Sequence, residues 1–102
     1  MSGPRRYILD GHTPVEEPDF NKWATWMERA DRHVGLAHAN GYCVSTIFLG
    51  VDHGVEPDVA LFETMIFPED SYADVYCERY STWEAAAAGH KDAVGRVKMG
   101  WV

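Results

Sequence analysis

Two apolar runs in the middle of the chain constrain its fold more than any other feature. Tyr42-Cys-Val-Ser-Thr-Ile-Phe-Leu-Gly-Val51 and Val59-Ala-Leu-Phe-Glu-Thr-Met-Ile-Phe67 are rich in β-branched and aromatic residues, and Pro68 ends the second. The first is largely apolar at both alternating sets of positions, the composition of a central strand covered on both faces or nearly so. With Asp52-His-Gly-Val-Glu-Pro-Asp58 between them, the two runs predict an antiparallel hairpin with a long tip. A third run, Asp74-Val-Tyr-Cys-Glu-Arg-Tyr80, alternates Val75, Cys77 and Arg79 against Tyr76, Glu78 and Tyr80, which suits a half-exposed strand.

Helical patterns flank these strands. After Pro18 and Asp19, the residues Phe20, Trp23, Met27, Ala30 and Val34 recur at spacings of 3, 4, 3 and 4, one apolar stripe of an amphipathic helix. Asp19 suits its N-cap and Gly35 its stop. Asp31 falls on the border of that stripe, where a carboxylate folds back onto local backbone, pairs with an arginine, or points into a pocket between helix and sheet. Ser81-Thr-Trp-Glu84 reads as a capping box. The helix it starts places Trp83, Ala86, Ala87, His90, Val94 and Val97 on one face. Arg6-Tyr-Ile-Leu-Asp10 is a short β-prone run closed by Gly11 and Pro14, a first or edge strand. The resulting order is β-α-β-β-β-α. It predicts an α+β two-layer sandwich, a four-stranded, mainly antiparallel sheet with two helices on one face. At 102 residues the chain suits one domain over its whole length.

Charge narrows the function classes. Nine basic and 16 acidic residues give a net charge of −7, the wrong sign for a general nucleic-acid binder. Residues 1–51 carry 5 basic and 6 acidic side chains, while residues 52–102 carry 4 and 10, so the second half holds the excess. Between Asp52 and Glu78 there is no lysine or arginine before Arg79, and Asp52, Glu56, Asp58, Glu63, Glu69, Asp70 and Asp74 share that stretch with Tyr72 and Tyr76. Such a segment either keeps the protein soluble or steers a basic partner to it. The residues it offers for binding are Asp52, Glu56, Asp58, Glu69, Asp70, Tyr72, Asp74 and Tyr76. No apolar run approaches the roughly 18 residues of a membrane span. The N-terminal residues lack the apolar core of a signal peptide. A cytoplasmic protein away from membranes is the expectation, with Cys43 and Cys77 as small core residues.

Catalytic signatures are weak. The five histidines, His12, His33, His38, His53 and His90, show neither the i, i+4 pairing of a zinc helix nor clustered Cys/His pairs. No metal or other cofactor is expected from them. His90, in the apolar stripe of the last helix, reads as a core histidine with one satisfied nitrogen, or as a working acid or base. Two turns, Asp10-Gly-His12 and Asp52-His-Gly54, would build an acid–base or divalent-metal site if their strand ends coincided. Arg29, Arg32 or Arg79 would have to converge to hold the phosphate of a small nucleotide, as in a sponge for a signalling molecule. Four tryptophans and five tyrosines suggest interface anchors, and a homodimer stays open.

Several segments are familiar as a set: Tyr7-Ile-Leu-Asp-Gly-His-Thr-Pro-Val15, Trp23-Ala-Thr-Trp26 with Asp31-Arg-His-Val34, Val44-Ser-Thr-Ile-Phe-Leu-Gly-Val-Asp-His53, Leu61-Phe-Glu-Thr-Met-Ile-Phe67, and Cys77-Glu-Arg-Tyr-Ser-Thr-Trp-Glu84 with Ala88-Gly-His90. Across most of its length the chain resembles a family of small, largely uncharacterised proteins encoded by bacteriophages and prophages. It departs from them after His53, in Gly54-Val-Glu-Pro-Asp58, and between Glu69 and Val75. The resemblance carries no active site. It implies a compact accessory protein in a bacterial host cell, one that binds a host or defence protein rather than turning over a substrate.

Overall fold

The computed structural model describes residues 4–55 and 58–102. In chain order the elements are β1 (Tyr7–Asp10), β2 (Thr13–Glu16), α1 (Phe20–Arg29), β3 (His33–Ala39), β4 (Tyr42–Phe48), β5 (Phe62–Pro68), β6 (Tyr76–Tyr80) and α2 (Trp83–Met99). The fold is α+β. Strands β3-β4-β5-β6 form an antiparallel meander, and β1 and β2 form a separate two-stranded sheet.

The central hairpin follows from its composition. Val44 lies opposite Ile66, Thr46 opposite Thr64 and Phe48 opposite Phe62. All six are fully buried and face α2, whose Ala86, Ala93 and Val97 are buried against them. Full burial of each large aliphatic or aromatic side chain contributes about 1.5–3 kcal/mol. The small alanines let the helix lie close to the strands. Thr82 caps α2 by accepting from the Ala85 amide, so the cap falls one residue later than Ser81 and Glu84 lies outside a capping box. Gly100, left-handed at φ 76°, closes the other end.

Two differences from the sequence reading matter for the site. The first concerns α1, which stops at Arg29, with Ala30 extended as its C-cap, although the apolar spacing runs on to Val34. Immediately after the helix, the Arg32 carbonyl accepts from the Phe48 amide at 2.8 Å, and the Arg32 guanidinium donates to the Phe48 carbonyl at 3.0 Å. Pairing with β4 captures the chain there, and Val34 packs into the same aromatic cluster as Trp26 from a strand rather than from a helix.

The second concerns the fourth strand of the sheet. It is β3, while the N-terminal run pairs with β2. Asn40 (φ 50°) and Gly41 (φ 80°) form the two-residue turn between β3 and β4, both left-handed, as hairpins of this kind require. Among the described residues one antiparallel bridge, Arg6 to Val51, joins the N-terminal sheet to the main one, with the Tyr7 amide donating to the Gly50 carbonyl at 2.8 Å.

Tyr7, Leu9, Trp26 and Trp83 close over Phe48 and Phe62 at one end of the α2 side. Trp26 meets Phe48 edge-on, and Trp83 meets Phe62 edge-on. Trp23 Nε1 donates to the Gly50 carbonyl at 3.0 Å. Gly50 is left-handed (φ 78°), so the backbone there calls for glycine, and the end of the Met27 side chain fills the space beside it.

Candidate protein-binding surface

Strand alternation leaves the opposite face of the meander uncovered by any described helix or strand. Cys43, Ser45 and Ile47 of β4, Glu63, Met65 and Phe67 of β5, Leu36 of β3 and Cys77 and Arg79 of β6 point that way. Leu36 is 55% exposed and Val75, just ahead of β6, is 53% exposed. On this face Arg79 Nε donates to Glu63 Oε2 at 2.9 Å, and His38 Nδ1 lies within hydrogen-bond distance of Glu69 Oε1 at 2.7 Å. Arg79 and Glu63 compensate each other, and Leu36, Ile47, Met65 and Phe67 make the centre of the face apolar. Among the described elements, every one that packs on the sheet does so from the other side.

The turn between β5 and β6 borders this face. Glu69, Asp70, Tyr72 and Asp74 are all exposed there, and Tyr72 is 98% exposed. The Glu69 amide donates to the Gly41 carbonyl at 3.0 Å, so this turn lies against the β3–β4 turn at the same end of the sheet. Tyr76 belongs elsewhere. Its ring faces α2 with the Arg96 guanidinium 5.3 Å from its centre, and burial raises its pKa.

The acidic segment therefore divides. Asp52 and Asp58 lie in the β4–β5 loop at the opposite end of β5, whose seven residues span about 20 Å. Asp52 is committed to that loop: its Oδ1 accepts from the Gly54 amide at 2.8 Å and the Ala60 amide at 2.9 Å. These bonds hold its carboxyl below the usual range, that from Ala60 most strongly. Glu56 lies outside the described residues.

The two acid–histidine turns diverge. Arg5 lies opposite Asp52, since its carbonyl accepts from the Asp52 amide at 3.1 Å, and β1 then runs away along the sheet. Asp10, five residues further on, is displaced by about 16 Å at ordinary strand rise. His12 instead lies flat on Trp83, ring centres 3.7 Å apart and planes within 4°. His53 is exposed, and its amide donates to the Ala60 carbonyl at 2.9 Å. Among the described residues no group of three or more His, Cys, Asp or Glu side chains is placed to hold a metal ion.

Asp31 takes the local alternative, accepting from the His33 amide at 3.0 Å. The three arginines proposed for phosphate separate: Arg32 bonds to Phe48, Arg79 to Glu63, and Arg29 lines a shallow cleft on α1 with Lys22 and Trp26. Cys43 is buried as expected. Cys77 differs from the core expectation: it is exposed on the open face, because β6 is an edge strand with no helix over that side. Burial, then Glu63, raises its pKa and keeps the thiol protonated at neutral pH. No protein-family model, curated protein or solved structure matches the chain.

Proposed function

We propose that the protein is a non-catalytic accessory protein that binds a host or defence protein through the open face of the meander and the acidic β5–β6 turn beside it. The observation that carries this reading is the juxtaposition of Tyr72, Asp70 and Asp74, all exposed, with an apolar sheet face that no described element covers. An apolar centre with a charged rim is the anatomy of a protein interface. The acidic rim favours a partner with a basic border, attracted electrostatically and sensitive to salt. The resemblance to phage- and prophage-encoded proteins supports an accessory role in a bacterial cell.

Capture from bacterial lysate at two ionic strengths tests the reading. A partner should be retained at low salt, weakened at high salt, and lost with Phe67→Asp and with Asp70→Lys/Asp74→Lys, both keeping the wild-type circular dichroism spectrum. Absence of a partner, or capture indifferent to both variants, overturns it.

A further inference from the structure

Edge strand β3 and the adjacent flank of α2 form a second surface, which meets the open face at Leu36. Strand β3 pairs with β4 on one side only, and its sequence, His33-Val-Gly-Leu-Ala-His-Ala39, holds no lysine, proline or carboxylate to guard the free edge. A register irregularity at His33/Gly35 interrupts one end, leaving Gly35 to Ala39 in regular pairing. Helix α2 runs alongside this stretch in the same direction. A Cβ on Gly35 would fall 2.5 Å from the His90 ring, Ala37, Ala39 and Val94 pack against the same buried cluster, and Asn40 Nδ2 donates to the Val97 carbonyl at 2.9 Å. The β3 residues facing the helix are therefore Gly35, Ala37 and Ala39, with no side chain or only a methyl to cover the edge.

The flank of α2 on that side is grooved. Ala87, His90, Lys91, Val94, Gly95 and Lys98 line a shallow cavity of about 680 Å³. Among the described residues no ion pair involves Lys91 or Lys98, whereas Arg96, on the far flank over Tyr76, is paired with Asp92. The two lysines are seven residues apart, about 10 Å along the helix axis. Carboxylates two or four residues apart on an extended strand fall within reach of their long stems.

We propose that β3 accepts an extended acidic segment of a partner protein as a fifth strand of the sheet. Backbone hydrogen bonds to the β3 edge supply register-independent affinity, as in other strand-addition complexes. Alternate side chains of the guest go to opposite faces. Those on the α2 side meet Ala87 and Val94 with Lys91 and Lys98 above them, which selects carboxylates. Those on the other side lie beside Leu36, which selects apolar residues. A second copy of this chain fits poorly, because antiparallel self-pairing of β3 would set Lys91 and Lys98 against their symmetry mates.

Three synthetic peptides test this on the full chain: acetyl-(Glu-Val)4-amide, acetyl-(Lys-Val)4-amide, and the first with its central Glu-Val-Glu N-methylated. In hydrogen-exchange NMR, the Glu-Val peptide at millimolar concentration should slow exchange of the β3 amides not bonded to β4 by about tenfold. The Lys-Val and N-methylated peptides should not. Lys91→Glu/Lys98→Glu, both exposed positions, should abolish the effect, and Asp70→Lys/Asp74→Lys should keep it, which separates this site from the open-face reading. Equal protection by the Lys-Val peptide, protection mapped to another element, or peptide-free dimerisation through β3 overturns the proposal.

Discussion

His90 Nδ1 lies 2.7 Å from the Thr46 hydroxyl, which in turn lies 2.6 Å from the Thr64 hydroxyl. Both threonines are fully buried in the α2-facing layer, so this chain satisfies polar groups that would otherwise be stranded among Val44, Phe48 and Ile66. Burial lowers the His90 pKa below its ordinary value. The folded protein thus disfavours imidazolium, while the unfolded chain protonates near pH 6.5. Stability is full above that pH and falls as the pH drops below it, until the folded-state imidazole itself titrates. Melting temperatures between pH 7.5 and pH 5 should fall, and His90→Gln, which keeps a polar partner for Thr46 without titrating, should flatten that slope.

Two glycine substitutions should act in opposite directions. Gly35→Ala drives a methyl into the His90 ring and disturbs the bond to Thr46, a loss of about 1–3 kcal/mol. Gly95→Ala, mid-helix with open space around its Cβ position, should gain about 0.5–1 kcal/mol. Urea denaturation midpoints at unchanged slope would report both.

At the start of α2, Thr82→Ala should cost about 1 kcal/mol through loss of the bond to the Ala85 amide. Ser81→Ala should cost clearly less. Equal losses would mean that Ser81 shares the cap.

Asp52→Ala removes the acceptor for two backbone amides in the β4–β5 loop and should cost about 1–3 kcal/mol. Because the folded state holds this carboxyl below its usual pKa, its contribution is present above the unfolded value and is lost as acid protonates it. The gap between wild type and variant should therefore narrow towards pH 3 in thermal melts.

The central hairpin, the α+β class and the N-cap at Asp19 were legible because composition and local chemistry act there alone. Strand β3 was not. Gly35, Ala37 and Ala39 are weak strand formers, and the strand exists because β4 and α2 hold it, a tertiary effect that propensity does not encode. The signal that could have revealed it was Asn40-Gly41, the strongest short hairpin dipeptide, just ahead of the first apolar run. The helical spacing through Val34 misled for a related reason, since pairing of Arg32 with Phe48 of β4 ends the helix and brings Val34 to the aromatic cluster from a strand. The open face, too, could not be read from Tyr42 to Phe67 alone. Ile47, Met65 and Phe67 are apolar whether or not something covers them.

The link between residues 5–7 and residues 50–52 divides the chain into parts that assemble on different terms. Strands β3 to β6 pair with their neighbours in sequence, whereas α2 closes back on β3 and β1 and Trp23 reach Gly50 across the first hairpin. Because Tyr7, Leu9 and Trp26 pack on the cluster that holds Phe48, release of the N-terminal third uncovers that ring while leaving the pairing of β3 to β6 in place.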